Sequence, residues 1–249
     1  MESKYELIST VRLTVAQSKR LIAKGLRCNK DVQDRLNKGI VVITRGSTNT
    51  YIAEEFVGYD NPRGSFVTGK IIPKGSEDFA LGLDKSNDIV LIDGVVVDMP
   101  LVEAIAKMDE QDIIFKGANL INYSKSQAGI CIGAPDGGTV ARIKKGKGRW
   151  VTPVGLEKDC SADLFEYAGF ISSGQCSMET VPMDVTCQSE IYTEVEAIKE
   201  FAPVDVCLAA KGGLSGAEGG VSLIICGDKE QVSKAMDVVG SLVGEPSFV

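Results

Sequence analysis

Histidine is absent from the 249-residue chain. A chain without it cannot build a Ser-His-Asp triad, a Cys-His pair or a histidine-ligated metal site by itself. Any acid or base must therefore be Asp, Glu, Lys, Tyr or Cys. The seven cysteines are scattered without a C-x-x-C pair, which is typical of reduced thiols and not of a disulfide scaffold or a zinc site. We expect neither a metal nor a cofactor.

Positive net charge, aromatic side chains and long apolar runs are also lacking. The net charge is −7 and aromatic residues make up 6% of the chain, which disfavours nucleic acid and anionic membranes as partners. No apolar run reaches the roughly 20 residues that cross a bilayer, and residues 1–10 lack the apolar core of a signal peptide. The sequence predicts a soluble, cytoplasmic protein with no nucleic-acid or membrane partner.

The most informative stretch is IVVITRGSTNTYIAEE, residues 40–55. A four-residue apolar run is followed by a polar loop, residues 44–50, and then by the start of a helix, which is how a strand passes to a helix in an α/β fold. Such a loop offers free N–H groups and hydroxyls at a helix N-terminus, where a phosphate or carboxylate is stabilised. An ordinary polar turn is the alternative. The residues expected to bind the anion are Gly46, Ser47, Thr48 and Asn49.

Strands and helices alternate along the first 158 residues. Apolar runs predict the strands, and periodic segments with capping residues predict the helices. The predicted strands are residues 40–43, 66–72, 89–92, 113–115, 128–133 and 150–154, and the predicted helices are residues 14–26, 30–38, 101–108 and one that ends near residue 145. This order indicates a doubly wound, mostly parallel Rossmann-like sheet, in which ligands bind beyond the carboxyl ends of the strands.

Residues 159–249 predict a smaller α+β unit with a ferredoxin-like order of elements. We expect it to be a lid or an oligomerisation domain; in the second case the protein would be a homo-oligomer. The linker or lid segment at its start holds Cys160 and Cys176, which are better placed for reactivity than Cys131, a residue expected to fill the core. The predicted elements are strands at 183–187, 204–210 and 221–226 and helices at 190–201 and 228–243.

Two further strand-end loops have residues suited to anion binding. Lys116 can neutralise an anion, and Gly117 allows close approach of the backbone, with Asn119 beside them. A solvated lysine next to a turn glycine is the alternative. The second predicted anion loop, at the start of a helix, is formed by Gly137, Gly138 and Thr139.

Carboxylates at strand ends are candidates for proton transfer. Asp93 closes a predicted strand where it would face the ligand crevice, although a turn former needs no such function. Glu157 follows the last predicted strand of the sheet and would face the cleft between the two domains, with a surface ion pair as the alternative. Lys116 would stabilise an enediolate or oxyanion. The predicted catalytic set is Asp93, Lys116 and Glu157.

Three segments resemble the superfamily of ribose-5-phosphate isomerases, glucosamine-6-phosphate isomerases and CoA transferases. IVVITRGSTNTYIAEE is similar to the isomerases' strand, phosphate-binding loop and helix, and AGICIGAPDGGTVARI to a later strand and helix start. Either DIVLIDG or DIIFKGANLIN is similar to a strand that ends in an acidic motif. The resemblance covers residues 10–158 and implies a phosphate at the first loop, a role for Lys116 and Gly117, and a catalytic carboxylate. The chain departs from the family at Asn119, where the isomerases have an acidic residue.

Three functions are compatible with these features. The first is a sugar-phosphate isomerase-like or CoA-transferase-like enzyme that acts on a small phosphorylated or acyl-CoA-like metabolite. The second is a non-catalytic ligand-binding or regulatory protein of the same fold, which Asn119 and the missing histidines favour. The third is an assembly module that uses the C-terminal unit. The first two predict a small anionic molecule as the partner.

Overall fold

In residues 4–174 and 181–248, which the computed structural model describes, twelve strands form three sheets, accompanied by eight α-helices. Cys176 lies outside these residues. The strands are β1 (Leu7–Leu13), β2 (Ile40–Ile43), β3 (Ile89–Ile92), β4 (Val95–Val97), β5 (Ile113–Phe115), β6 (Leu120–Asn122), β7 (Gln127–Cys131), β8 (Arg149–Pro153), β9 (Met183–Thr186), β10 (Glu190–Tyr192), β11 (Asp205–Lys211) and β12 (Val221–Gly227). The helices are α1 (Val15–Cys28), α2 (Lys30–Asn37), α3 (Ser47–Val57), α4 (Leu101–Lys107), α5 (Gly138–Ile143), α6 (Leu164–Ser172), α7 (Glu194–Phe201) and α8 (Lys229–Gly240).

The central sheet has six strands in the order β10-β8-β5-β2-β3-β4. The first four are parallel, and β3 and β4 are antiparallel to their neighbours. In β2, Val41 and Ile43 belong to one core cluster, with residues of α1, α3 and α7, whereas Ile40 and Val42 belong to another, with residues of α4 and α5. The sheet is therefore buried on both faces, as the unbroken apolar runs predict. A mixed α/β fold with a mostly parallel sheet is confirmed.

The sequence pattern predicts that β3 runs parallel to β2, but in the structure it does not. It pairs antiparallel with β2 and turns at Asp93 and Gly94 into β4. Both turn residues have positive φ angles, 50° and 78°, the conformation for which Asp-Gly is favoured in two-residue hairpins. Asp93 consequently lies at the sheet edge where β2 begins, and its carboxylate accepts a hydrogen bond from the N–H of Gly39 at 2.8 Å. It is not brought to the carboxyl ends of the parallel strands.

Two other predicted strands differ from the structure. The AGIC segment forms β7, but this strand pairs antiparallel with β6 and β9 in a separate three-stranded sheet. No strand forms in residues 66–72, where the chain leaves a 3₁₀ turn (Arg63–Phe66) and continues irregularly through Gly69, whose φ is 67°. A positive φ angle interrupts the extended backbone that a strand needs.

The third sheet joins the two ends of the described chain. Strand β1 pairs antiparallel with β12, which pairs with β11. The predicted helix 190–201 is shorter than expected, because its first residues form β10 and extend the central sheet beside β8. Strands from both sides of residue 158 thus share sheets. The division into two domains and the ferredoxin-like unit stay predictions.

Helix α1 is the element that brings polar side chains from the N-terminal region into the interior. It begins with the predicted capping box, in which Thr14 Oγ1 accepts from Gln17 N and Gln17 Oε1 accepts from Thr14 N. The helix packs against both α3 and α7. Its buried positions include Ser18 and Lys19. Across the described ranges, no helix combines the length and the apolar character that crossing a membrane requires.

Candidate functional site

The turn between β2 and α3 is anchored to the ends of two adjacent strands. Asn49 Nδ2 donates to the carbonyls of Thr44 and Phe115 at 2.7 and 3.0 Å, and Thr44 Oγ1 donates to the Phe115 carbonyl at 2.8 Å. The side-chain nitrogen of Asn49 therefore links the ends of β2 and β5, and the residue is only 1% exposed. The helix starts at Ser47, so Ser47 to Asn49 form its first turn and not a loop before it.

The N-terminus of α3 has no side-chain cap. The capping position is occupied by Gly46, which offers no hydrogen-bond acceptor in a side chain. Within the described ranges no acceptor is bonded to the N–H groups of Ser47, Thr48 or Asn49; the first N–H group of the helix that is bonded is that of Thr50, to the Gly46 carbonyl. A Cβ on Gly46 would meet no atom within 4 Å, so the space above these donors is open. Three unsatisfied donors at a positive helix end form an anion-binding geometry.

Three cationic side chains surround this helix end. Arg45, Lys116 and Lys158 line, together with Gly46 to Asn49, a cavity of about 100 Å³. The described side chains that line this cavity include no Asp or Glu. Asp88 lies just outside, where it accepts from the N–H of Arg45 at 2.8 Å and has its Oδ1 atom 3.6 Å from Arg45 Nε. The cavity therefore has a positive potential that one neighbouring carboxylate balances only in part.

Lys116 occupies a distinctive position at the end of β5. Its backbone is fixed, since its N–H donates to the Val151 carbonyl at 3.0 Å and its carbonyl accepts from Trp150 Nε1 at 3.2 Å. No acceptor among the described residues is bonded to its ammonium nitrogen, whereas that of Lys158 donates to the Ala118 carbonyl at 2.9 Å. Burial lowers the pKa of Lys116, the positive charges of Lys158 and Arg45 lower it further, and Asp88 opposes them.

A second chamber of about 480 Å³ adjoins the first cavity. Both are lined by Arg45, Thr68, Gly69 and Lys116. The rest of its wall combines apolar side chains such as Ile130 and Ile132 with the segment from Asp136 to Arg142. Lys116 therefore stands at the junction between a small cationic cavity and a larger chamber of mixed polarity.

The second predicted anion loop lines this chamber, and a carboxylate of the protein already bonds one of its N–H groups. The N–H of Gly138 donates to Asp136 Oδ1 at 3.0 Å, and Arg142 donates to Asp136 Oδ2 at 2.8 Å. The carboxylate of Asp136 thus takes the place that an anion would occupy at the start of α5. Gly137, Gly138 and Thr139 contribute to the wall of the chamber, and the Asp136 carboxylate distinguishes this helix start from that of α3, which has no described carboxylate at its cavity.

Cys131 and Asn119 are joined by a hydrogen bond and line different cavities. Cys131 is only partly buried and lines the second chamber, contrary to the expectation of core filling, and burial raises the pKa of its thiol. Asn119 lines the first cavity, where its Oδ1 accepts from the N–H of Cys131 at 2.9 Å and its own N–H donates to the Gly129 carbonyl. Gly117 also lines that cavity.

Glu157 forms no ion pair with any residue in 4–174 or 181–248 and lies beside a second carboxylate, Glu194. A Cβ placed on Gly155 would be 1.9 Å from Glu157 Oε2 and 3.1 Å from Glu194 Oε1, so these two oxygens are at most about 5 Å apart. Both oxygens are buried and neither has a hydrogen-bond partner in the described part of the chain. Burial, with the charge of Glu157, raises the pKa of Glu194 to about 7. The other oxygen of Glu194 accepts from the N–H of Leu156 at 2.9 Å.

Lys19 contacts the first turn of α3 and interacts through its charge with Glu157 of the carboxylate pair. Lys19 was not identified from the sequence. Its ammonium donates to Ser47 Oγ at 3.2 Å. Burial lowers the pKa of Lys19 to about 8, helped by Lys158 and opposed by the charge of Glu157. A signal was available, because Lys19 lies four residues after Val15 and three before Ile22 and so shares the apolar face of α1. Nothing local marks Glu194, whose burial depends on packing of α7 against α1.

The described residues contain no group of three His, Cys, Asp or Glu side chains that could hold a metal ion. Comparison with models of protein families, with curated proteins and with solved structures finds no significant match to this chain. The resemblance to the isomerase and CoA-transferase superfamily therefore stays a prediction. The site has to be interpreted from its own geometry and charge.

Proposed function

We propose that the protein binds a small metabolite through a phosphate or carboxylate group at the N-terminus of α3. The observation that carries this proposal is the first turn of α3, whose unbonded N–H groups border the same cavity as Arg45, Lys116 and Lys158. A helix N-terminus and basic side chains are independent sources of positive potential, and both favour an anion at this point. The missing cap at Gly46 leaves the helix donors free for it.

The dimensions of the site support a small ligand. A cavity of about 100 Å³ suits a single anionic group, and the adjoining chamber of about 480 Å³ suits the rest of a small metabolite. Ile130 and Ile132 would contact apolar parts of the ligand. Asp88 would accept hydrogen bonds from its hydroxyl groups, and Thr139 would donate hydrogen bonds to them or accept from them.

We include in this proposal a fold-level relation to the isomerase and CoA-transferase superfamily. The strand, loop and helix of residues 40–55 and the mostly parallel sheet support a Rossmann-like arrangement. The β3–β4 hairpin departs from a doubly wound sheet. A ferredoxin-like unit at the C-terminus would consist mainly of β11, β12 and α8, with β1 completing its sheet.

An isomerase-like or transferase-like enzyme at the same site is the second candidate, and the Glu157–Glu194 pair favours it. Two buried carboxylates this close do not ionise with equal ease, and a pKa of about 7 lets Glu194 exchange a proton near neutral pH. Glu157 lines neither cavity, but it precedes Lys158, which lines the first, and lies beside Glu194, so it would be the residue that passes the proton towards the cavity.

Calorimetric titration tests the binding proposal with inorganic phosphate, ribose 5-phosphate, glucosamine 6-phosphate and coenzyme A esters as probes. We expect Lys158→Met to weaken phosphate binding about tenfold or more, and binding to weaken as salt is raised. Lys147→Met removes an exposed lysine that does not line either cavity and is the matched control. Equal phosphate affinity in wild type and Lys158→Met, or no binding of any probe, would contradict the proposal.

The enzyme candidate has a separate test. If it is correct, one of the sugar phosphates is isomerised or one of the CoA esters is turned over, and Glu157→Gln lowers kcat with little change in the affinity for phosphate. Binding without turnover of any probe would leave the binding proposal standing and count against the enzyme.

A further inference from the structure

We propose that Lys116 is a nucleophile that forms an imine with the aldehyde or ketone group of an anionic substrate. The inference rests on the proposed function, since the bound anion is what would place the carbonyl group beside the lysine. It goes further by naming the reactive atom, Lys116 Nζ, and the class of substrate, a carbonyl compound with a phosphate or carboxylate.

Lys116 is placed where such a substrate would present its carbonyl carbon. It lines the small cationic cavity next to the N-terminus of α3 and also the larger chamber on the other side. A molecule whose anionic group binds at Ser47 and Thr48 and whose body enters the chamber has to pass this side chain. The backbone of Lys116 is held at both its N–H and its carbonyl, which limits the positions of its amine.

Of the three lysines near the start of α3, Lys116 is also the one whose amine is least engaged by the described residues. The ammonium of Lys158 donates to the Ala118 carbonyl, and that of Lys19 donates to Ser47 Oγ. No described residue accepts a hydrogen bond from Lys116 Nζ. A lysine becomes a nucleophile when burial or a neighbouring cation favours its neutral form, and Lys116 has burial together with Arg45 and Lys158 as cationic neighbours. Its lowered pKa agrees with this environment.

The reaction needs no component besides the two partners. The neutral amine attacks the carbonyl carbon, so that an N–C bond forms while the C=O π bond breaks, and a proton moves from nitrogen to oxygen to give a carbinolamine. Loss of the hydroxyl group as water, with the second proton of the nitrogen, forms the C=N bond. The net change is amine plus carbonyl to imine plus water. Of the two described carboxylates that line the chamber, Asp88 and Asp136, Asp88 is the one close enough to Lys116 to affect its pKa and is the group placed to exchange those protons.

Pyridoxal 5′-phosphate is a suitable probe because it has an aldehyde and a phosphate in one small molecule. The full-length protein is incubated with it near pH 7, the imine is reduced with borohydride, and the modified residue is located by peptide mass spectrometry. We expect modification of Lys116 at least about tenfold above that of any other lysine, because the bound phosphate places the aldehyde beside this amine. The lowered pKa of Lys116 acts in the same direction by increasing its neutral fraction. Inorganic phosphate should compete, and pyridoxal without its phosphate should react far more slowly.

Variants separate the imine from anion binding. Lys116→Arg keeps a positive charge but cannot form the imine, so it should lose the label while still binding inorganic phosphate, and Lys147→Met should be labelled like the wild type. Equal labelling across surface lysines, or preferential labelling of Lys19 or Lys158, would overturn the assignment of Lys116. If phosphate binds but no imine forms, only this inference fails; if phosphate does not bind either, the proposed function fails with it.

Discussion

The substitution Gly46→Asp separates the stability of α3 from the function proposed for its N-terminus. Gly46 has φ 167° and ψ 155°, an extended backbone that any residue adopts, and a Cβ there meets no atom within 4 Å. An aspartate is therefore accommodated without strain. Its carboxylate would accept hydrogen bonds from the free N–H groups of the first turn, which is the place proposed for the ligand's anion.

The expected gain in the free energy of unfolding is the sum of three contributions. Replacing a glycine cap by aspartate gains a few tenths of a kcal/mol, and a negative charge at a helix N-terminus adds about 0.3–1 kcal/mol. Attraction to Arg45, Lys116 and Lys158 adds up to about 1 kcal/mol, because these side chains are partly exposed and their charges are screened. We expect a total of about 1–2 kcal/mol, or a rise in Tm of roughly 2–8 °C.

The same carboxylate should exclude the ligand. We expect phosphate affinity to fall at least about tenfold in Gly46→Asp, measured by calorimetric titration beside thermal unfolding. Gly46→Asn adds a cap without a charge, and Gly46→Ala adds neither, so the two controls separate capping from electrostatic exclusion. A variant that is no more stable than the wild type, or one that binds phosphate as tightly, would refute the reasoning about the uncapped helix end.

Three further predictions concern the groups behind the loop. Glu194→Gln should stabilise the protein by up to about 3 kcal/mol above pH 7 and have no effect below pH 4.5. The reason is that folding raises the pKa of this carboxyl from 4.5 to about 7, so the folded wild-type protein loses stability as the pH rises through that window. Urea unfolding at pH 5 and pH 8 measures the difference, and an equal effect at both pH values would contradict it. Lys19 has a pKa of about 8 and donates to Ser47, so a phosphate bound beside Ser47 should favour its protonated form. Phosphate binding at pH 8 should therefore take up a fraction of a proton, which is measured as a difference between the binding heats in Tris and in HEPES. Identical heats in the two buffers would show that the anion does not affect Lys19. Gly155→Ala should cost up to about 1 kcal/mol, because the added methyl group displaces the end of the flexible Glu157 side chain. Gly169→Ala, in an open position of α6, should stabilise by roughly 0.5–1 kcal/mol. Equal Tm values for the two variants would contradict the close packing around Gly155.

Features that depend on neighbouring residues could be predicted from the sequence. The strand at residues 40–43, the capping box at Thr14 and the helix that begins after β2 all follow from local patterns, and the structure has each of them. The β3–β4 hairpin was also within reach, because Asp93-Gly94 between two apolar runs is a strong hairpin signal. A buried apolar run has no alternation to reveal its direction, so the parallel assignment of β3 followed the expected fold and not the turn.

Features that depend on long-range packing could not be predicted in this way. The β1–β12 pairing joins segments more than 200 residues apart, and the burial of Glu194 next to Glu157 requires α7 to pack against α1. Whether Lys158 faces water or a cavity is likewise decided by the position of β8 beside β5. The sequence therefore located the loop but not the groups around it, since charged residues have no local signature of burial.

The groups around the loop have one property in common, which is that each departs from the arrangement that would stabilise the fold best. The helix α3 has a glycine at the position where aspartate or serine would bond its first N–H groups. Lys116 is half-buried with no described acceptor for its ammonium, and Glu194 is buried beside another carboxylate. Each feature destabilises the free protein by an amount that substitution could recover. The helix end and Lys116 line one cavity, and Glu194 lies beside Glu157, the chain neighbour of the cavity residue Lys158. Unsatisfied donors and an unpaired cation are groups that an anionic substrate would satisfy, so their concentration at one cavity supports a functional site over an ordinary strand-to-helix turn.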